Sequence, residues 1–135
     1  MRKHFLVVSV VLAALAGSLA VYGQRDTPAP TTKDAGAFMK LKLEHTQKLL
    51  EGLAVEDFGA VKQHAQKLGA LALDENWQVL QTREYRDYSA EFQKITGRIS
   101  KAADKKSLDG AAVGYVQLAL NCVDCHKHVR DHGNR

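Results

Sequence analysis

A chain of 135 residues has room for one domain, and 45% hydrophobic and 25% charged residues with only two prolines exclude a disordered or proline-rich extended protein. Without Arg2 and Lys3 the chain has 17 basic and 15 acidic residues, a net charge of +2 that is too small and too scattered for a nucleic-acid-binding surface. The chain has only four Phe, four Tyr and one Trp, and few runs of Val and Ile follow residue 21, which argues against an all-β fold.

The N-terminus has the pattern of a secretory signal peptide. Residues 1–4 are short and positively charged, residues 5–16 are almost wholly apolar, and small residues are frequent over 17–23. We predict a signal peptide over residues 1–23, with cleavage after Ala20 or Gly23. The pattern therefore predicts export to the periplasm, or another compartment outside the cytoplasm, of a bacterium.

The alternative for this segment is an uncleaved membrane anchor. The 18 residues of 5–22 are interrupted only by Ser and Gly, which is close to the length of a membrane span. Only in that case do we expect contact with a membrane. Residues 24–33, which include Pro28 and Pro30, are predicted to form a flexible spacer, so that the folded domain covers residues 34–135.

Four amphipathic helix patterns fill the domain. Asp34 and Asp109 are expected to cap the first and fourth helices, and Gly133 to lie just past the end of the fourth. Four helices with one apolar stripe each predict an all-α, antiparallel four-helix bundle, with the longest connection over 74–81. The stripes are Met39, Leu43, Thr46, Leu50 and Leu53; Phe58, Val61, Ala65, Leu68 and Ala72; Tyr85, Tyr88, Phe92, Ile95, Ile99 and Ala102; and Ala111, Tyr115, Leu118, Cys122, Cys125 and Val129.

Both cysteines of the chain lie in one short motif near its C-terminus. Cys122, Cys125 and His126 form C-x-x-C-H, the covalent attachment site of c-type haem. Two thiols add to the two vinyl groups of haem, and the following imidazole binds the iron as the proximal ligand. On a helix the two cysteines are one turn apart on the inward stripe. The motif therefore predicts one covalently bound haem c.

Three other interpretations of the motif compete with haem. A disulfide between Cys122 and Cys125 is one, although it would be strained within a helix. A thioredoxin-like redox pair is another, but it would require a βαβ context with the cysteines at a helix start. A zinc site is the third, with the two thiols and two of the imidazoles of His126, His128 and His132 as ligands.

An N-terminal export signal, four helices and C-x-x-C-H on the last helix resemble the class II c-type cytochromes, the cytochrome c′ and c556 group. The resemblance covers roughly residues 34–130 and is architectural outside the haem motif. In that family the motif continues to an aromatic residue and an arginine; here Val129 replaces the aromatic residue and Arg130 is kept. The resemblance implies a haem-binding bundle. Lys40, Lys42 and Arg130 are candidate contacts for the haem propionates. The family's arginine four residues before the sixth-ligand position is replaced by Ala35.

Met39 is the predicted distal ligand of the haem iron. It is the only methionine besides Met1, and its thioether is a soft ligand suited to haem iron. It lies near the start of the first helix, the end that antiparallel packing sets against His126. The alternative is that Met39 only fills the core. His45 and His64 are rival ligands, and we expect both to be partly exposed helix residues.

Two functions are possible, and they differ in whether a side chain occupies the sixth coordination position of the iron. With His126 and Met39 both bound, the protein is expected to be a single-haem electron carrier, not an enzyme, that exchanges electrons with redox partner proteins. With the sixth position open, it is expected to bind nitric oxide or carbon monoxide as a five-coordinate, cytochrome c′-like protein. A homodimer through the first two helices is also compatible with the sequence.

Overall fold

The computed structural model describes residues 32–73 and 80–133, and in these two ranges the chain is all-helical with no strand. The predicted signal peptide and most of the predicted spacer lie outside the described residues, as does most of the connection over 74–81. None of the described helices is both long enough and apolar enough to cross a membrane. The helices are α1 (Thr32–Ala54), α2 (Phe58–Leu71), α3 (Arg83–Asp104) and α4 (Leu108–His132).

The start and the buried face of α1 differ from the prediction. The helix begins at Thr32, so Asp34 lies in its first turn and is not its cap. Leu49 is fully buried, whereas Leu43 and Leu50 of the predicted stripe are 57% and 49% exposed. The prediction was wrong because leucines define two adjacent faces of this helix, and the sequence alone does not indicate which of them meets α2.

The other three helices bury the predicted stripes. The buried residues of α2 are Val61, Ala65 and Leu68, and Ala72 is buried just past its end. The core joins these side chains to buried side chains of α1, α3 and α4, and no buried side-chain nitrogen or oxygen in the described part of the chain lacks a hydrogen-bond partner. The core residues of α3 and α4 are Phe92, Ile95, Ile99, Ala103, Ala111 and Leu118, and the half-buried residues of these helices packed against the core are Ala102, Leu108, Tyr115 and Cys122.

Two connections of the same design join α1 to α2 and α3 to α4. Each has three residues, and its second residue adopts a left-handed backbone, Glu56 with φ 56° and Lys106 with φ 52°. The third residue caps the next helix. The Asp57 carboxylate accepts a hydrogen bond from the Ala60 amide at 2.9 Å, and the Ser107 hydroxyl accepts one from Gly110 at 3.3 Å. Such side-chain caps satisfy amides that have no partner within the helix.

The cap of α4 corrects a second sequence expectation. Ser107, and not Asp109, is the N-cap, while Asp109 places its negative charge in the first turn. Gly133 caps the C-terminal end as predicted, with its amide donating to the Val129 carbonyl. The last turn of α4 therefore closes beyond the C-x-x-C-H motif, which lies wholly inside the helix.

Candidate functional site

A crevice of about 260 Å³ lies between α1, α3 and α4. It is lined by Cys122, Cys125 and His126 from α4 and by Met39 from α1. The side chains that the sequence singled out for haem attachment and iron binding, other than Arg130, therefore line one cavity. The remaining lining residues are Lys42, Leu43, Thr46, Tyr88, Ser89, Phe92, Ala119 and Asn121.

The two cysteines are half-buried, free thiols on the same side of α4. Burial raises the pKa of both the Cys122 and the Cys125 thiol, and the nearby Lys42 ammonium partly opposes this effect. Each thiol is therefore held in its neutral form. His126 is exposed at the mouth of the crevice, while Met39 is half-buried on α1.

Two of the competing interpretations lose support here. The cysteines are not joined by a disulfide. The βαβ context of a thioredoxin-like pair is missing from the described ranges, which contain helices only. As for zinc, no group of three or more His, Cys, Asp or Glu side chains within residues 32–73 and 80–133 is placed to hold a metal ion.

Lys42 was one of three candidate propionate contacts, but the sequence did not indicate that it lies half-buried in the crevice. Its ammonium lies 3.8 Å from the centre of the Phe92 ring, a cation–π contact. Burial lowers the pKa of Lys42 from 10.5 to about 8, an effect that Cys122 and Cys125 partly offset. The lysine is three residues beyond Met39 and so shares its helix face. The spacing from Met39 could have indicated that Lys42 faces the crevice, but a lysine is ordinarily expected on a solvent-exposed face.

The α3 wall of the crevice is aromatic. Tyr88 and Phe92 are one turn apart on this helix, and Phe92 is only 3% exposed. The wall is tied to α4 by the buried Asn121, whose side-chain amide donates a hydrogen bond to the Tyr88 carbonyl at 3.3 Å. The stripe of α3 predicted that both aromatic residues face inward, but not that they face the cysteines.

The histidine next to the motif is more constrained than the sequence predicted. His128 was expected to be solvated; instead it is half-buried, and its Nε2 lies 3.0 Å from the Thr82 hydroxyl. The His132 ring stacks on it with 4.3 Å between centres, and His132 Nδ1 donates to the His128 carbonyl at 2.9 Å. Arg130 is exposed and is not among the residues that line the crevice.

The two rival histidines lie away from the crevice and contact each other. His45 on α1 and His64 on α2 are half-buried, with 3.3 Å between their Nδ1 atoms. Neither lines the cavity that holds Met39 and His126. Comparison of the chain with family profiles, curated proteins and solved structures finds no match.

Proposed function

We propose that the protein is an exported c-type cytochrome that carries one covalent haem and transfers electrons. The observation that carries the proposal is the placement of C-x-x-C-H: its two thiols and its imidazole line one crevice together with Met39. Haem supplies a reversible Fe(II)/Fe(III) couple when bound. The chain contributes the attachment points, both axial ligands and apolar walls.

The donor set fits haem residue by residue. Cys122 and Cys125 would form the two thioethers, and His126 would bind the iron through its imidazole. The thioether of Met39 would take the opposite position and favour Fe(II), which raises the reduction potential. Tyr88 and Phe92 present ring surfaces that suit a flat, largely apolar group.

The crevice would have to widen to hold a haem. At about 260 Å³ it is smaller than most ligand sites, and a porphyrin needs more room. Lys42 is a side chain that can provide it, because its ammonium lies over Phe92 on a long, flexible stem and gains hydration by moving out. The ammonium would then be available to a carboxylate such as a haem propionate.

We also propose that neighbouring helices run antiparallel, as the four amphipathic helix patterns predict. Contacts between α1 and α2 support this arrangement, since His45 meets His64 and Gly52 meets Val61, so that positions rise on one helix as they fall on the other. Contacts of α3 with α4 follow the same order, with Ile99 against Gly114 and Ala102 against Gly110.

The first test is attachment. The full chain is expressed with a haem c maturation system, and the denatured product is stained for haem on a gel. We expect stain on the wild-type band and none on the Cys122→Ala/Cys125→Ala variant. Wild-type protein without covalent haem would refute the proposal.

The second test is ligation at Met39. The wild-type absorbance spectrum should be that of six-coordinate, low-spin iron. In the Met39→Ala variant the iron should be high-spin, the reduced protein should bind carbon monoxide readily, and the reduction potential should be lower. Because Met39 is half-buried, the loss of stability should not exceed about 2 kcal/mol. His45→Ala is the matched control on the same helix, outside the crevice, and should leave the spectrum unchanged. A wild-type protein that is already high-spin would instead support the five-coordinate, gas-binding alternative.

A further inference from the structure

A second cluster of metal-binding side chains lies outside the haem crevice, where α1 packs against α2. His45 and His64 approach each other with Nδ1···Nδ1 at 3.3 Å, ring centres 5.2 Å apart and ring planes inclined by 47°. Both rings are half-buried, so the two helices fix their positions while one side stays accessible to solvent. The proposed function uses neither residue.

The separation of these nitrogens matches two ligands of one ion. Imidazole nitrogens bind Zn²⁺ at about 2.0–2.1 Å, and two nitrogens at a tetrahedral angle around such an ion are about 3.3–3.4 Å apart. Without metal the same distance suits an N–H···N hydrogen bond, in which one neutral imidazole donates to the other. The separation of the two nitrogens in the metal-free pair is therefore already close to that of two ligands of one ion.

Charged side chains of both signs lie near the pair. Lys67, Lys48 and Glu44 interact electrostatically with His64. Glu51, whose carboxylate pairs with Lys48 at 2.8 Å, also interacts with His64. Two acidic and two basic side chains surround the pair, so a divalent cation would not enter a strongly positive field.

We propose that His45 and His64 form a two-histidine site for a divalent transition metal. Imidazole ligands suit Zn²⁺, Cu²⁺ and Ni²⁺, and not the oxygen-preferring Mg²⁺ or Ca²⁺. No third His, Cys, Asp or Glu of the described residues completes the cluster, so water or an exogenous ligand fills the other positions.

A metal at this site would link two helices, so that its binding can be measured as a gain in stability. A metal bound to α1 and α2 together stabilises the folded chain, because the unfolded chain holds the two imidazoles 19 residues apart. The effect is independent of haem attachment. Failure of this inference would therefore leave the cytochrome proposal intact, and the reverse also holds.

The test measures Zn²⁺ binding by the mature, haem-loaded protein, with calorimetry at pH 7.5 and thermal melting with and without Zn²⁺. If the chain carries no haem, the same measurements are made on the protein as it is obtained. We expect one Zn²⁺ per chain and a higher melting temperature. In His64→Gln and His45→Gln the affinity should fall at least tenfold and the thermal shift should vanish. Glutamine keeps a hydrogen-bonding side chain of similar reach, so that the fold is preserved, and the circular dichroism of each variant checks this.

The matched control is His132→Gln, which alters a second close histidine pair among the described residues, at the end of α4. It should leave the affinity and the thermal shift unchanged. The proposal is overturned if the His64→Gln variant binds Zn²⁺ as tightly as the wild type. It is equally overturned if His132→Gln alone abolishes binding, because the metal would then lie on α4.

Discussion

Gly114→Ala probes the close approach of α3 and α4, the helices that form most of the crevice. A Cβ at Gly114 would lie 2.6 Å from Cγ1 of Ile99, far below van der Waals contact. Ile99 is fully buried, and its Cγ1 is bonded directly to Cβ, so a β-branched side chain with few allowed rotamers would have to move. Relief requires either a strained rotamer or a wider gap between the helices.

The expected magnitude is the difference between two opposing effects. Overpacking a core costs about 1–3 kcal/mol, whereas alanine is about 1 kcal/mol more favourable than glycine in a helix. We expect a net loss of about 0–2 kcal/mol, or up to roughly 15 °C in melting temperature for a domain of this size. The measurement is thermal unfolding followed by helical circular dichroism.

Gly97→Ala on α3 is the matched control, because an added Cβ there has no neighbour within 4 Å. It should gain about 0.5–1 kcal/mol from helix propensity alone. In an Ile99→Ala background the cost of Gly114→Ala should largely disappear. Equal effects of the two glycine substitutions in the wild-type background would refute the close packing of α3 on α4.

Three further predictions concern the cofactor, the crevice lysine and the α3 cap. Haem burial should contribute several kcal/mol, so that protein produced without haem should melt at a clearly lower temperature than the loaded form; equal melting curves would contradict this. In the haem-free protein Lys42 has a pKa of about 8 in the folded state and 10.5 in the unfolded state. The unfolded chain therefore binds more protons between pH 8 and 10.5. The free energy of unfolding should rise as the pH increases from about 8 to 10.5. Lys42→Leu should remove that rise and be most stabilising below pH 8, as urea unfolding at pH 7, 9 and 10.5 can show; an unchanged pH profile would contradict it. Thr82→Ala removes both the cap bond to the Tyr85 amide and the bond to His128, and should cost about 1–2 kcal/mol in urea unfolding. Ser107→Ala removes a cap bond alone and should cost about 1 kcal/mol. Equal losses would show that the His128 bond contributes nothing to stability.

The helices could be predicted from the sequence wherever one apolar stripe stands out. On α3 and α4 the spacing of Phe92, Ile99 and Leu118 leaves a single possible inward face, and those residues are buried. On α1 the leucines at 43, 49, 50 and 53 border more than one face, so periodicity alone chose partly wrong residues. Tertiary packing against Val61 and its neighbours selects Leu49.

The site could be predicted only in part, for a different reason. The C-x-x-C-H motif and Met39 can be recognised in the sequence without knowing how the helices pack, and both line the crevice. The position of Lys42 over Phe92 and the pairing of His45 with His64 depend on how separate helices meet, which composition and spacing do not encode. The half-buried His128 was missed because its partner, Thr82, is 46 residues away in the chain.

The two three-residue connections have a consequence for the order of folding. They divide the domain into two helix pairs, α1 with α2 and α3 with α4, whose internal contacts are local in sequence and should form early. Cys122, Cys125 and His126 all belong to the second pair, whereas Met39 belongs to the first. Covalent attachment of the proposed haem would therefore need only half of the chain in place, and the opposite face of the crevice would be completed when the two halves dock.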